Sequence, residues 1–206
     1  MPTLKSKEEV VQEFRIQTIQ DATMRVISRK GMAAATMQEI ADEAGVAKGT
    51  IYLYFRDRDE LVEKTFESAM TRLMAEIDTA IEQEIPIDEK IRSIMEAHLR
   101  FFGDNREFFR LYLSLRMPEG PAARQRSQQQ HCAPQYRARA ERFAAALNEA
   151  MDRGEIRRMN ALKLALFIIE GSTAVILEHL NEETPQGDDD VDLITGLVLD
   201  GIRKRS

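Results

Sequence analysis

The 206-residue sequence contains one cysteine, no tryptophan, ten glycines, six prolines and no long apolar run. A single thiol, Cys132, cannot close an intrachain disulfide, which suits a reducing compartment. Its neighbours His131 and Pro134 bring no second thiol, so a redox role for Cys132 lacks the partner such chemistry uses. The longest uninterrupted apolar run, Leu164 to Ile169, is far too short to cross a bilayer. The opening MPTLKSKEEVVQEF lacks the apolar segment of a signal peptide, so a soluble, cytoplasmic protein is expected.

Catalytic signatures are missing as well. His98, His131 and His179 are far apart and follow none of the HxxxH, CxxC or HExxH spacings. There is no glycine-rich phosphate loop and no GxSxG. The expectation is no enzyme, no metal and no cofactor. An excess of positive charge is also lacking: the net charge is −6, and residues 1–60 hold nine Lys or Arg against ten Asp or Glu. Composition alone therefore argues against a nucleic-acid partner.

What is present is helical patterning, with 43% hydrophobic residues and almost no β-type alternation. Thr36 to Phe55, TMQEIADEAGVAKGTIYLYF, reads as two short helices joined by a tight turn. Thr36 is placed to cap the first helix and Glu39 to complete a capping box. Met37, Ile40, Ala41 and Ala44 give that helix an apolar face, and Gly45 ends it where a positive φ is wanted. A second helix is expected from about Lys48 to Tyr54. This is helix-turn-helix patterning, whose second helix usually enters the DNA major groove.

The longer string TMQEIADEAGVAKGTIYLYFRDRDELV resembles the DNA-binding segment of the TetR family of bacterial transcriptional regulators. The resemblance is carried by Thr36, Ile40, Ala41, Ala44, Gly45, Val46, Gly49, Thr50, Tyr52, Tyr54, Phe55 and Leu61. It implies an all-α protein of about nine helices. A DNA-binding domain (1–56) with a three-helix unit and its helix-turn-helix (36–55) would precede a larger effector-binding and dimerisation domain (57–206).

The resemblance also assigns roles. Thr36 would offer its hydroxyl or backbone N–H to a phosphate at a helix N-terminus. Lys48 would neutralise a phosphate, Gly49 would let the backbone approach DNA closely, and Thr50 would meet a base edge or thymine methyl. Tyr52 and Tyr54 would donate hydroxyl bonds to the backbone, with an exposed surface ring and a core ring as their respective plainer readings. Arg58, where the family more often has lysine, would hold a phosphate bidentately. Ala47 stands where the family often has a hydroxyl residue, so one phosphate contact is missing. Phe55 is assigned to packing.

Along the rest of the chain, residues 1–12 are expected to fray, with Lys5 and Lys7 in a solvated tail. A first helix should run over 13–30 and end at Gly31. A long helix should start at Asp57 or Asp59 and reach about Glu84, and the resemblance makes it the connector that carries ligand state to the DNA-binding unit. Further helices are expected at 88–102 (closed by Gly103), 105–117, 135–153, 161–180 and 191–203. Residues 118–134, rich in Pro, Gly and Gln, read as irregular.

Residues 161–180 are apolar nearly all round, and such a helix must be covered on two sides. No long helix remains to do this, so a homodimer through 161–180 and 191–203 is expected, as the resemblance also implies. The family's middle helices enclose a small-molecule cavity. The residues assigned to it are His98, Phe102, Phe109, Tyr112, Arg116, Tyr136 and Glu170, each of which also has an ordinary packing reading. Ten methionines favour an apolar or aromatic effector.

The resulting expectation is a ligand-responsive dimeric regulator, a repressor released from its double-stranded DNA operator by a small effector. The alternatives are a helical interaction module that has lost specific DNA binding, and a constitutive regulator without ligand.

Overall fold

A computed structural model describes residues 6–116, 134–179 and 188–203. Among them are nine helices: α1 Lys7–Lys30, α2 Met37–Ala44, α3 Lys48–Ile51, α4 Arg58–Glu82, α5 Ile87–Asp104, α6 Arg106–Arg116, α7 Pro134–Arg153, α8 Ala161–His179 and α9 Asp188–Ile202. The only extended pairing among the described residues is one isolated bridge, Ile156 with Arg203. The all-α expectation is thus borne out. Cys132, His131 and the stretch 117–133 lie outside the described residues.

The chain forms two compact units, Met1–Thr71 and Arg72–Ser206. The division falls within α4.

In the first unit, α1 begins well before residue 13. Ser6 accepts from the Glu9 N–H at 3.1 Å while the Glu9 carboxylate accepts from the Ser6 N–H at 2.7 Å. This capping box supplies partners for two helix-end donors, so the helix starts at Lys7 instead of fraying through residue 12. At the other end Gly31, with φ +82°, donates to the Ile27 carbonyl at 2.8 Å. Ile19, Ala22, Val26 and Ile27 of α1 are fully buried, as are Ile40 and Ala41 of α2 and Ile51 of α3.

In the second unit α5 is central, packing against α6, α7, α8 and α9. Ile91, Ile94, Met95, Leu99 and Phe102 supply its buried face. Gly103 does not close this helix, which continues to Asp104; glycine in a last turn costs only about 1 kcal/mol. Helix α7 ends at Gly154, φ +76°, where the Glu155 N–H donates to the Ala150 carbonyl at 3.0 Å. The Arg157 N–H then bonds the Ile202 carbonyl at 2.8 Å, holding the lead into α8 against the end of α9.

Candidate nucleic-acid interface

Helices α2 and α3 owe their geometry to local chemistry. Glu39 N–H donates to Thr36 Oγ1 at 3.3 Å, and Glu39 Oε2 accepts from both the Thr36 N–H (3.1 Å) and the Thr36 hydroxyl (2.9 Å). Both Thr36 donors assigned to a phosphate are therefore engaged by Glu39. Gly45 sits at φ 66°, ψ 32°, and its N–H reaches the Ala41 and Asp42 carbonyls. That left-handed position turns the chain sharply enough to start α3 three residues later.

The α-helical part of α3 is only Lys48–Ile51, shorter than the expected run to Tyr54. The chain tightens beyond it: Leu53 N–H bonds the Thr50 carbonyl at 3.2 Å and Tyr54 N–H the Ile51 carbonyl at 3.0 Å. Such i→i+3 bonds satisfy terminal carbonyls where a helix ends. Ala47 precedes α3 without a side-chain cap, having no oxygen to offer.

This short element separates its residues cleanly. Ile51 and Phe55 point inward, Phe55 in keeping with its packing assignment. Lys48, Gly49 and Tyr52 are exposed, and Thr50 and Tyr54 are half-buried. Leu53 is 78% exposed, more than any other large hydrophobic residue described, and it had not been singled out from the sequence. Its position between two assigned tyrosines was the signal available. A Cβ built at Gly49 meets nothing within 4 Å, so the chain's own packing does not require glycine there.

Electrostatics explain the modest positive character of this unit. Arg25 Nε and Arg29 Nη2 of α1 both donate to the Glu43 carboxylate, at 2.7 and 3.1 Å, and Lys30 pairs with Glu39. Three cations of α1 are thus matched by carboxylates of α2. Lys30 and then Thr36 hold the Glu39 carboxyl down to about 2, and Arg25 with Arg29 holds Glu43 below its ordinary range. Arg56 faces Asp57 at 2.9 Å. Asp57 in turn accepts the Glu60 N–H at 2.8 Å, which together with Arg56 keeps its carboxyl low and caps the start of α4. Arg58 has protein partners too: Nε donates to the Ala35 carbonyl at 2.7 Å, Nη2 to the Met32 carbonyl, and Nη1 lies 3.5 Å from Asp59.

In the second unit the structure gathers four of the seven residues that the sequence reading assigned to an effector pocket. Phe102 lies 5.3 Å from His98, 5.0 Å from Phe109 and 5.1 Å from Tyr112, centroid to centroid. The first two contacts are edge-on, an arrangement aromatic quadrupoles favour. His98 is buried, with Nδ1 2.6 Å from Ser172 Oγ on α8. Phe102 and Phe109 are fully buried, so these rings serve as core as well as candidate lining. Glu170 is half-buried on α8. The side chains of Arg116 and Tyr136 lie outside the described part of the structure. Beside Ser172, Thr173 Oγ1 is buried without a hydrogen-bond partner among the described residues. A separate groove of about 830 Å³, lined by Ile81, Pro86, Lys90, Arg142 and Glu149 among others, contains none of the seven.

Residues 19–65 match the family model of bacterial regulatory proteins, tetR family. An uncharacterized HTH-type transcriptional regulator of Haemophilus influenzae is 34% identical over 89 residues, 43% of this chain and 48% of that protein. A fatty acid metabolism regulator protein of Bacillus subtilis is 31% identical over 78 residues, 38% of this chain and 40% of that protein. The chain thus aligns with about half or less of the length of these relatives. Over the full fold it superposes on the fatty acid degradation regulator FadR from Bacillus halodurans with a TM-score of 0.64, covering 98% of this chain and 100% of that one. At 21% identity that likeness speaks for the fold alone.

Proposed function

We propose that the chain, whose residues 19–65 match the tetR family model, is a regulator of the TetR family: a dimeric, sequence-specific DNA-binding transcriptional regulator, acting as a repressor. The observation that carries this reading is the α2–turn–α3 element, with its left-handed Gly45 and with Lys48, Gly49, Tyr52 and Leu53 on the exposed side of α3.

Lys48 neutralises a phosphate, Thr50 and Leu53 face bases, and Tyr52 and Tyr54 bond the sugar-phosphate backbone. Thr36 acts through its cap, setting the start of α2. With so few cations available per subunit, affinity comes from two reading elements engaging grooves about 34–36 Å apart.

The homodimer reading is supported by α8 and α9. Phe167 and Leu177 on α8 and Leu193 and Leu197 on α9 are 48–69% exposed. Gly171, Gly196 and Gly201 on the same helices also have open space at a built Cβ. Large apolar side chains exposed on two neighbouring helices suit a second copy better than water.

Release by a small apolar or aromatic effector completes the proposal. The His98–Phe102–Phe109–Tyr112 cluster is its candidate site, with His98 and Ser172 as polar handles. The effector acts by binding better to the conformer whose reading elements are mis-spaced. Helix α4, whose residues belong to both units, is the connecting element. Fatty acids are the first compounds to try, since one relative is named as a fatty acid metabolism regulator.

The test is enrichment of duplexes from a random-sequence pool by the full-length protein. A two-fold symmetric site is expected. Failure to enrich any sequence overturns the reading in favour of a helical interaction module.

A further inference from the structure

We propose that Arg58 is a positioning residue which fixes the helix-turn-helix to the first turn of α4, and that it does not bind a DNA phosphate. The inference rests on the DNA-binding reading above and reassigns one residue within it.

Arg58 is the first residue of α4, and its guanidinium turns back onto the connection between α1 and α2. Nε donates to the Ala35 carbonyl at 2.7 Å and Nη2 to the Met32 carbonyl, while Nη1 lies 3.5 Å from Asp59 Oδ1. The side chain is only 32% exposed. Ala35 immediately precedes Thr36, the residue that caps α2, so the clasp holds the entry of α2 against α4. A planar guanidinium can reach two carbonyls three residues apart at once, whereas an ammonium on a lysine stem presents a single point.

The energetics favour this arrangement over a phosphate contact. Swinging the guanidinium out to DNA would strip two part-buried carbonyls of a charged donor. The clasp also has a mechanical consequence. Gln20 Nε2 donates to the Lys64 carbonyl at 3.1 Å, tying α1 to the same helix one and a half turns further on. The Ala35 and Met32 bonds tie the approach to α2. A shift of the first turns of α4 is therefore transmitted to Thr36 and the reading element, instead of being absorbed in the loop.

The experiment measures binding of full-length wild type, Arg58→Lys and Arg58→Ala at several salt concentrations, well below each variant's melting temperature. The probes are a duplex enriched by wild type from a random pool and an unrelated duplex of equal length. Both variants are expected to lose about tenfold on the enriched duplex and less on the unrelated one. The slope of log affinity against log salt should stay at the wild-type value, and lysine should not rescue.

A slope reduced by about one unit in Arg58→Ala and restored in Arg58→Lys would identify a phosphate ligand and overturn the proposal. So would unchanged affinity in both variants. Arg58→Lys keeps charge and stem, and carries the test should Arg58→Ala fail to fold. A wild-type protein that enriches no sequence sinks the DNA-binding reading itself, an outcome separate from either result on the variants.

Discussion

Asp78 on α4 and Arg139 on α7 meet through two parallel hydrogen bonds, Nε to Oδ1 at 2.7 Å and Nη2 to Oδ2 at 3.1 Å. Arg142 adds a third to the same carboxylate at 2.6 Å. Arg139 is 12% exposed, so removing its partner leaves a nearly buried charge with less compensation. Asp78→Ala should cost about 2 kcal/mol, read by chemical denaturation. Burial pushes the Asp78 carboxyl up, but bonds and charge from Arg139 and Arg142 outweigh this and hold it below its ordinary value. The stabilisation is therefore complete above the ordinary aspartate range and lost as pH falls through the lowered value. Wild type should lose melting temperature below about pH 4 more steeply than Asp78→Asn. Parallel acid limbs in the two proteins would contradict this.

The cap of α2 gives a second acid-sensitive element. Thr36→Ala removes the N-cap oxygen and should cost about 1 kcal/mol. Glu39, lowered from 4.5 to about 2 by Lys30 and Thr36, contributes fully above its unfolded value and progressively less as pH falls from there toward 2. Glu39→Gln should lower the melting temperature by a constant amount above the unfolded value, pH 7 included, and flatten the acid limb of the profile between those values.

On DNA, Lys48→Ala should weaken binding to all sequences and lower the salt slope by about one unit. Tyr52→Ala should weaken binding with an unchanged slope, since it removes a neutral donor. Gel-shift titration at three salt concentrations separates the two. Equal affinity for wild type and both variants would mean that α3 is not the reading element.

Leu197→Glu, alone and with Phe167→Glu, places charge on the exposed apolar faces of α9 and α8. The expected result is a halving of mass by light scattering with helix content retained. An unchanged mass would place the dimer contact elsewhere.

Within the aromatic cluster, Phe102→Ala should cost about 3–4 kcal/mol by leaving a cavity among fully buried rings. Ser172→Ala removes one hydrogen-bond partner of His98 and should cost about 1 kcal/mol. A thermal-shift response to apolar ligands that survives Ser172→Ala but not Tyr112→Ala would locate the effector at the ring side of the cluster.

Much of the fold was readable before any coordinates, because helices announce themselves locally. The 3–4 spacing of Ile19, Ala22, Val26 and Ile27, the Thr36–Glu39 box and the stop at Gly45 all act within a few residues. The same logic applies to Ser6 and Glu9, a capping box within a polar opening stretch that by composition alone looks frayed. Gly103 erred the other way: a glycine near a helix end is permissive of termination and does not compel it.

The candidate sites divide along the same line. Exposure of Lys48, Gly49 and Tyr52 follows from Ile51 and Phe55 taking the buried side of a very short helix. The partners of Arg58 did not follow from spacing, since its two carbonyls lie 23 and 26 positions back in the chain. Nor did the pairing of His98 with Ser172, 74 positions apart.

By itself, then, the sequence determined the helical class and the caps and turns of α2 and α3, all written in contacts between near neighbours. Tertiary structure decided what the polar side chains are for. It set Arg25, Arg29 and Lys30 of α1 against Glu39 and Glu43, turned Arg58 onto the backbone and closed Asp78 against Arg139. A charged group takes whichever partner packing brings within hydrogen-bond distance, and that choice is made by helices remote in sequence.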